Sequence, residues 1–199
     1  MSATVIIPTT GSPELKQAIE SVLNQTYEDT TCYVVIDGAE NYGKASVILS
    51  EYGSRVKYAS LPINVGAKGF YGHRVYAAFT HLVNSDYVLY LDQDNWFADS
   101  HVKECVETIE SRNLDWCYSL RQIHHKSGAF ACFDDCESLG KWPTYHGVHH
   151  IDTNSYCVKT SVAIKLAQVW HGGWGQDRVF LGAVSQHFRS EEHTSELQS

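Results

Sequence analysis

Asp92 and Asp94 stand one residue apart in YVLYLDQDNW, Tyr87 to Trp96, where an apolar and aromatic run leads straight into two carboxylates. Carboxylate oxygens are hard ligands, and a pair of them suits Mg²⁺ or Mn²⁺ better than zinc. At the end of a strand the backbone can turn, so that both side chains reach one cation or divide between a cation and a ligand hydroxyl. A plain turn or helix cap is the other use of the same D-x-D spacing. The charge balance limits what such a site handles. With Lys+Arg 15 against Asp+Glu 23, the formal net charge is -8, which excludes the broad phosphate-gripping surface of a nucleic-acid binder. A phosphorylated ligand then needs a local device, and a divalent ion holding a diphosphate is one.

Six cysteines, Cys32, Cys105, Cys117, Cys132, Cys136 and Cys157, follow no framework spacing, and reduced thiols are expected. Cys132 and Cys136, near His124, His125, His146, His149 and His150, raise a zinc reading. A structural zinc site brings paired ligands at both ends, and here a single loose C-x3-C stands alone.

The elements that must position the carboxylates are legible from periodicity. TVIIPTT, from Thr4, is a β-branched run, and PELKQAIESVLNQ places Leu15, Ile19, Val22 and Leu23 on one helical face, with Ser12 as N-cap and Pro13 at the first helical position. TCYVVIDG is a second buried strand that also ends in a carboxylate, Asp37. A helix over 44–52, a strand at RVKYASL, the loop NVGAKGFYG and a helix over 73–83 lead to the opening run. After it, DSHVKECVETIESR reads as a helix capped by Asp99 or Ser100, DWCYSLRQIH and GAFACFD as paired strands, and TSVAIKLAQVW and QDRVFLGAVSQHF as closing helices. Near-continuous apolar strands alternating with helices imply an α/β fold, a mostly parallel central sheet covered on both faces. Ligands bind such sheets at the carboxyl ends of the strands, where Pro8, Thr9, Asp37, Asp92 and Asp94 are expected to converge.

Taken in order, these segments resemble family 2 glycosyltransferases with the GT-A fold, a Rossmann-like α/β/α sandwich. VIIPTTGSPELKQAIESVLNQTY resembles that family's first strand and helix, VVIDGAE its second strand, NVGAKG the loop beneath the donor, and YLDQDNW its D-x-D metal signature. The resemblance implies that Pro8, Thr9 and Asp37 line a pocket for the base and ribose of a nucleotide sugar, with a uridine diphosphate sugar expected. It further implies that Asp94 binds Mg²⁺ or Mn²⁺, that Asp92 contacts ribose or sugar hydroxyls or shares the ion, that Asn64 and Gly66 shape the donor floor, and that Arg74 contacts a phosphate or the donor sugar. For Asn64 the bland alternative is a turn, and for Arg74 a solvated charge.

The family takes its base from an E-D pair at the start of a late helix. GGWGQDRVF matches it at Asp177, with Gln176 in place of the glutamate, so Asp177 is implied as the base and the neighbouring carboxylate's role is vacated; a helix-start carboxylate favoured by the dipole is the competing use. Gly172, Gly173 and Gly175 suit a mobile loop whose Trp174 stacks on a sugar or plugs the core. The resemblance turns Asp152, Asn154 and the histidines of HHIDTNSYCVK towards the acceptor site, for acceptor or diphosphate contacts, with ordinary polar surface the bland alternative for the histidines; Trp142 and Tyr145 form an acceptor platform or only pack a loop. The expected acceptor is a hydroxyl of a saccharide or lipid-linked molecule. Thr10-Gly11-Ser12 departs from the family's aromatic and Asn after the first strand. A nucleotidyltransferase of related architecture lacks its glycine-rich basic signature in PTTGSPELK, and a non-catalytic nucleotide-sugar or glycan-binding module is the other alternative.

Residues 1–188 are expected to form one GT-A domain that continues beyond this chain, and 189–199 resemble a translated sequencing adapter, an artefactual tail. Without a leader or a span of apolar residues, the chain is expected in the cytoplasm, with peripheral association at the inner face of a membrane through parts not present.

Overall fold

The computed structural model describes residues 1–125, 127–134 and 150–190. Cys136, His146, His149, Trp142, Tyr145 and the tail from 191 lie outside the described residues. The chain begins with β1 (Ala3–Thr9), α1 (Leu15–Leu23), β2 (Thr30–Ile36), α2 (Tyr42–Leu49), β3 (Val56–Ser60), α3 (His73–Phe79), β4 (Tyr87–Tyr90) and α4 (His101–Arg112). It continues through β5 (Trp116–Tyr118), β6 (Arg121–His124), β7 (Phe130–Asp134), β8 (Tyr156–Lys159), α5 (Thr160–Leu166) and α6 (Gln176–His187).

Six strands form the central sheet in the order β3-β2-β1-β4-β8-β5. Strands β3, β2, β1 and β4 run parallel, while β8 is antiparallel to both β4 and β5. Two-residue periodicity divides the core. Ala3, Val5 and Ile7 of β1 pack with α1, α2 and α4, whereas Ile6, Val35, Val88 and Tyr90 pack with α3, α5 and α6 on the other face. The result is the expected α/β/α sandwich. The second face is markedly aromatic: Trp170 stacks on Phe180 at 4.3 Å, and Tyr90 and Tyr156 meet both rings.

Three local expectations are corrected. DWCYSLRQIH is two strands, because buried Trp116–Tyr118 joins the main sheet while only Arg121–His124 pairs with β7. Ser12 does not cap α1: its hydroxyl binds the Glu14 carboxylate, and the helix begins at Leu15. At α4 the N-cap is Ser100 but its side chain caps nothing; the Val102 N–H donates instead to Gln25 Oε1 at 2.9 Å.

The sheet order puts β1 at the point where the connections reverse, with β2 on one side and β4 on the other. Ile6 O accepts from Leu91 N (3.1 Å) and Thr9 O from Asp37 N (2.8 Å), so alternate β1 residues turn towards β4 and β2. Pro8 then turns its nitrogen to the β4 side past the last β1–β4 pair, Ile6 with Tyr90, where a missing N–H costs the ladder nothing. The strands part there, and the parting opens the site.

Candidate active site

A cavity of about 600 Å³ opens at this carboxyl edge, lined in part by Pro8, Thr9, Asp37, Asn64, Gly66, Asp92, Asp94, Asp152, Trp174 and Asp177. Ten of the residues singled out in the sequence thus share one space. Arg74 and Asn154 are not on its wall. The Arg74 guanidinium lies over the Phe70 ring, 3.3 Å from its centroid, and Nη1 donates to Val65 O at 3.4 Å; it braces the loop from behind. Asn154 lines a neighbouring cavity of about 460 Å³, together with Trp96, Arg121 and His124.

Asp37 is buried and both of its oxygens are used. Oδ1 accepts from Val65 N (2.7 Å) and Oδ2 from Gly66 N (2.8 Å), so the carboxylate holds the 64–72 loop to the end of β2. A side chain at Gly66 would run into Tyr71 O at 2.1 Å, which is why glycine stands at this close approach. On the opposite wall, Gln93 is more than the spacer of D-x-D. Its Oε1 accepts from Thr9 Oγ1 (2.6 Å), Thr10 N (3.1 Å) and Ser12 N (3.3 Å), and Nε2 donates to Thr10 Oγ1 (3.3 Å). The residue between the two aspartates therefore fastens the loop after β1. A polar residue at the end of a buried strand was the available signal, but not its partner.

The two aspartates differ in environment. Asp92 Oδ1 accepts from the buried Tyr76 hydroxyl (2.8 Å) and Oδ2 from Asn154 Nδ2 (3.2 Å). Asn154 Nδ2 also donates to Asp152 Oδ1 (2.6 Å), and Arg121 pairs with the other Asp152 oxygen. Burial raises the Asp92 carboxyl to about 6, helped by the nearby Asp152 and Asp94 charges and opposed by its two hydrogen bonds. Asp94 is exposed, and its Oδ1 accepts from Asn95 Nδ2 (3.1 Å). Among the described residues, no group of three or more His, Cys, Asp or Glu could hold a metal ion. Mg²⁺ commonly takes one or two carboxylates and completes its shell with water and substrate phosphates. Asp94 fits that pattern, while Asp92, with one protein hydrogen bond on each oxygen, is held in the wall beside it.

Asp177 enters from the first turn of α6. Gly175, at φ +81°, turns the chain into the helix, and buried Phe180 pins the helix to the aromatic core. Asp177 Oδ2 lies 2.6 Å from His150 Nε2, and Oδ1 accepts from Arg178 N at 2.8 Å. Burial pushes this carboxyl up, but the His150 hydrogen bond and charge, the Arg178 amide and His73 outweigh it, and the net shift is downward. His73 lines the same wall with its ring stacked on Trp170 at 5.8 Å, and burial lowers its basicity. Trp174, 71% exposed, stands at the rim.

The family model described as "Glycosyl transferase family 2" matches residues 4–130, a stretch that includes Asp37, the 64–72 loop and both aspartates of D-x-D. The chain belongs to glycosyl transferase family 2. No curated protein matches it. Among solved structures, this family 2 domain is similar in fold to residues 1-349 of TarS from S. aureus, at 17% identity and a TM-score of 0.64, covering 90% of this chain and 54% of that one. The same protein in complex with UDP-GlcNAc gives 14% identity and 0.63, over 90% and 52%. A mannosyltransferase from Pyrobaculum calidifontis, in complex with GDP-Man and Mn²⁺, gives 14% and 0.57, over 88% and 48%. The chain therefore spans about half the length of these structures. Among the described residues, no helix is long and apolar enough to cross a membrane.

Proposed function

We propose that the family 2 domain transfers a sugar, with inversion, from a nucleotide diphosphate sugar to a hydroxyl of a saccharide or lipid-linked acceptor, with a uridine diphosphate sugar as donor. One observation carries the reading: a single cavity collects the β1 end, Asp37, the Gly66 loop, D-x-D and Asp177. The family match supports the reaction class. Neighbours described with UDP, UDP-GlcNAc and GDP-Man support the donor class.

Pro8, Thr9 and the Asp37-anchored loop around Asn64 and Gly66 take the base and ribose. Asp94, with Asp92 beside it, would hold Mg²⁺ or Mn²⁺, which when bound offsets the negative charge of the leaving diphosphate. Asp177 acts as general base. The acceptor O–H bond breaks, its proton moves to the Asp177 carboxylate, and the oxygen's electron pair forms the new bond to the anomeric carbon as the bond to the diphosphate oxygen breaks. A carboxylate held anionic in a partly desolvated wall suits that step. Asp152 and Trp174, on the same wall, orient the acceptor, and Asn154 acts behind them by tying Asp152 to Asp92.

The test is turnover of a panel of nucleotide sugars with Mn²⁺, comparing the chain with Asp94→Ala and Asp177→Asn. A marked fall in turnover at fixed Mn²⁺ in the first and a fall in kcat of about 100-fold or more in the second are expected. Undiminished turnover in both would remove the assigned roles.

A further inference from the structure

We infer that His150 positions the Asp177 carboxylate for proton abstraction by fixing its orientation; the inference rests on the base role proposed above for Asp177. The contact is short, 2.6 Å from Nε2 to Oδ2, between side chains that are 23% and 17% exposed. That length belongs to a charge-assisted hydrogen bond shielded from bulk water. With Arg178 N on Oδ1, the carboxylate is held from both ends, and each oxygen keeps a lone pair for an acceptor hydroxyl. The partners reach the cavity from different directions. His150 comes from the segment leading into β8, and Asp177 from α6, which Phe180 anchors.

Gln176 shows why the partner is not the sequence neighbour. Its Nε2 donates to the Val169 carbonyl, and its Oε1 lies 1.8 Å from where a Cβ on Gly172 would stand. A glutamate has no N–H for that carbonyl. The residue beside Asp177 is thus spent on closing the 172–175 loop, and His150 is the side chain that reaches the carboxylate. The ionisable groups around Asp177 are His73 of α3, His150 and Asp152 of the segment before β8, Tyr156 of β8 and Arg178 on its own helix. His73 is buried and its basicity is lowered by that burial, while the Tyr156 hydroxyl is buried and pushed well up. Neither supplies a hydrogen bond to Asp177 in place of His150. In this geometry Nε2 carries the proton shared with Oδ2, so the acceptor's proton goes to Asp177 and not through it to Nε2.

The experiment uses His150→Ala and His150→Gln in the full chain, with two readouts. The first needs no turnover: the ¹³C carboxyl resonance of Asp177 followed through a pH titration. Removal of the imidazole leaves burial in command, and the midpoint is expected to rise by about one pH unit in His150→Ala, less in His150→Gln, which keeps an N–H donor without the charge. The second is the pH profile of kcat/KM, whose acid limb should move up with the midpoint. That loss is confined to the acid side, rising to about tenfold below the wild-type midpoint and vanishing by neutral pH, with the donor KM unchanged and partial rescue in His150→Gln. An Asp177 midpoint that stays put in His150→Ala overturns the inference, as does a loss of rate that is uniform across pH. A moved midpoint in a chain that turns over no nucleotide sugar supports the pairing and overturns the transferase reading instead.

Discussion

Gly66→Ala tests the floor of the cavity with a single methyl group. A Cβ at this position would stand 2.1 Å from Tyr71 O, 2.8 Å from Asp37 Oδ2 and 2.9 Å from the Tyr71 carbonyl carbon. Two of these are backbone atoms, and the third is a carboxylate fixed by two amides. Relief requires the loop to move by about an ångström. The bonds at risk are Gly66 N to Asp37 Oδ2 at 2.8 Å and the Phe70 and Tyr71 amides on Gly66 O at 3.1 and 2.9 Å, and such a move takes them beyond hydrogen-bond length. Losing one bond to a carboxylate costs about 1.5–3 kcal/mol and overpacking about 1–3 kcal/mol. Stiffening the unfolded chain returns about 0.4–1 kcal/mol. The net expectation is a loss of about 2–4 kcal/mol, read by urea unfolding with an unchanged m-value, together with a fall of about tenfold or more in UDP affinity by calorimetry with Mn²⁺. Asp37→Asn is the companion: it keeps shape but turns one acceptor into an NH₂ facing a backbone N–H, at about 1–3 kcal/mol. A Gly66→Ala protein within about 0.5 kcal/mol of wild type that binds UDP equally well would refute the claim that this loop is tied down as described. A neutral Asp37→Asn beside a severe Gly66→Ala would reduce the effect to steric clash.

Gln93→Ala removes the acceptor shared by Thr9, Thr10 and Ser12; a cost of about 1–2 kcal/mol and a raised donor KM with little change in kcat are expected from unfolding and steady-state kinetics. Phe180→Ala, at a fully buried ring stacked on Trp170, should lose about 3–5 kcal/mol in urea unfolding and lower kcat, because α6 carries Asp177. The raised Asp92 carboxyl gives a pH signature in the metal-free protein. With its folded value at about 6 against 3.8, the protonated form favours the fold. Wild-type stability relative to Asp92→Asn should therefore be greatest below the unfolded value of 3.8 and fall by up to about 3 kcal/mol as pH rises from there to about 6. Unfolding in EDTA across that range measures it, and a flat difference would mean that Asp92 is not desolvated as the geometry indicates.

The parallel half of the sheet was legible because β1, β4 and the second half of β2 are apolar runs buried on both faces, each delivering its chain to the same edge, with the more exposed β3 outside them. The antiparallel half was not. Tyr156–Lys159 was read as part of an acceptor-facing segment, yet it lies between β4 and β5. Four residues hold too little periodicity to declare a strand, and its partners lie about 40 and 70 positions away along the chain. Residue identity showed which carboxylates could act, but their hydrogen-bond partners depend on distant packing. Gln93 meets a loop 81 to 84 positions back, Asn154 meets Asp92 across 62, and His150 meets Asp177 across 27. Arg74 shows the opposite limit: its charge suggested a ligand, but a neighbouring ring and carbonyl claim it.

Burial and distant hydrogen bonds separate two residues that the D-x-D spacing leaves equivalent. A cation is met best by oxygens that are charged and exposed. Asp92 is drawn into the fold by Tyr76 and Asn154, and its burial works against ionisation near pH 6. Asp94, two residues later, has left the strand and is exposed, with Asn95 its neighbour. Between them Gln93 ties the chain to Thr9, Thr10 and Ser12 of the β1 loop. Loosening Gln93 should therefore blur the difference between Asp92 and Asp94 before it weakens either one.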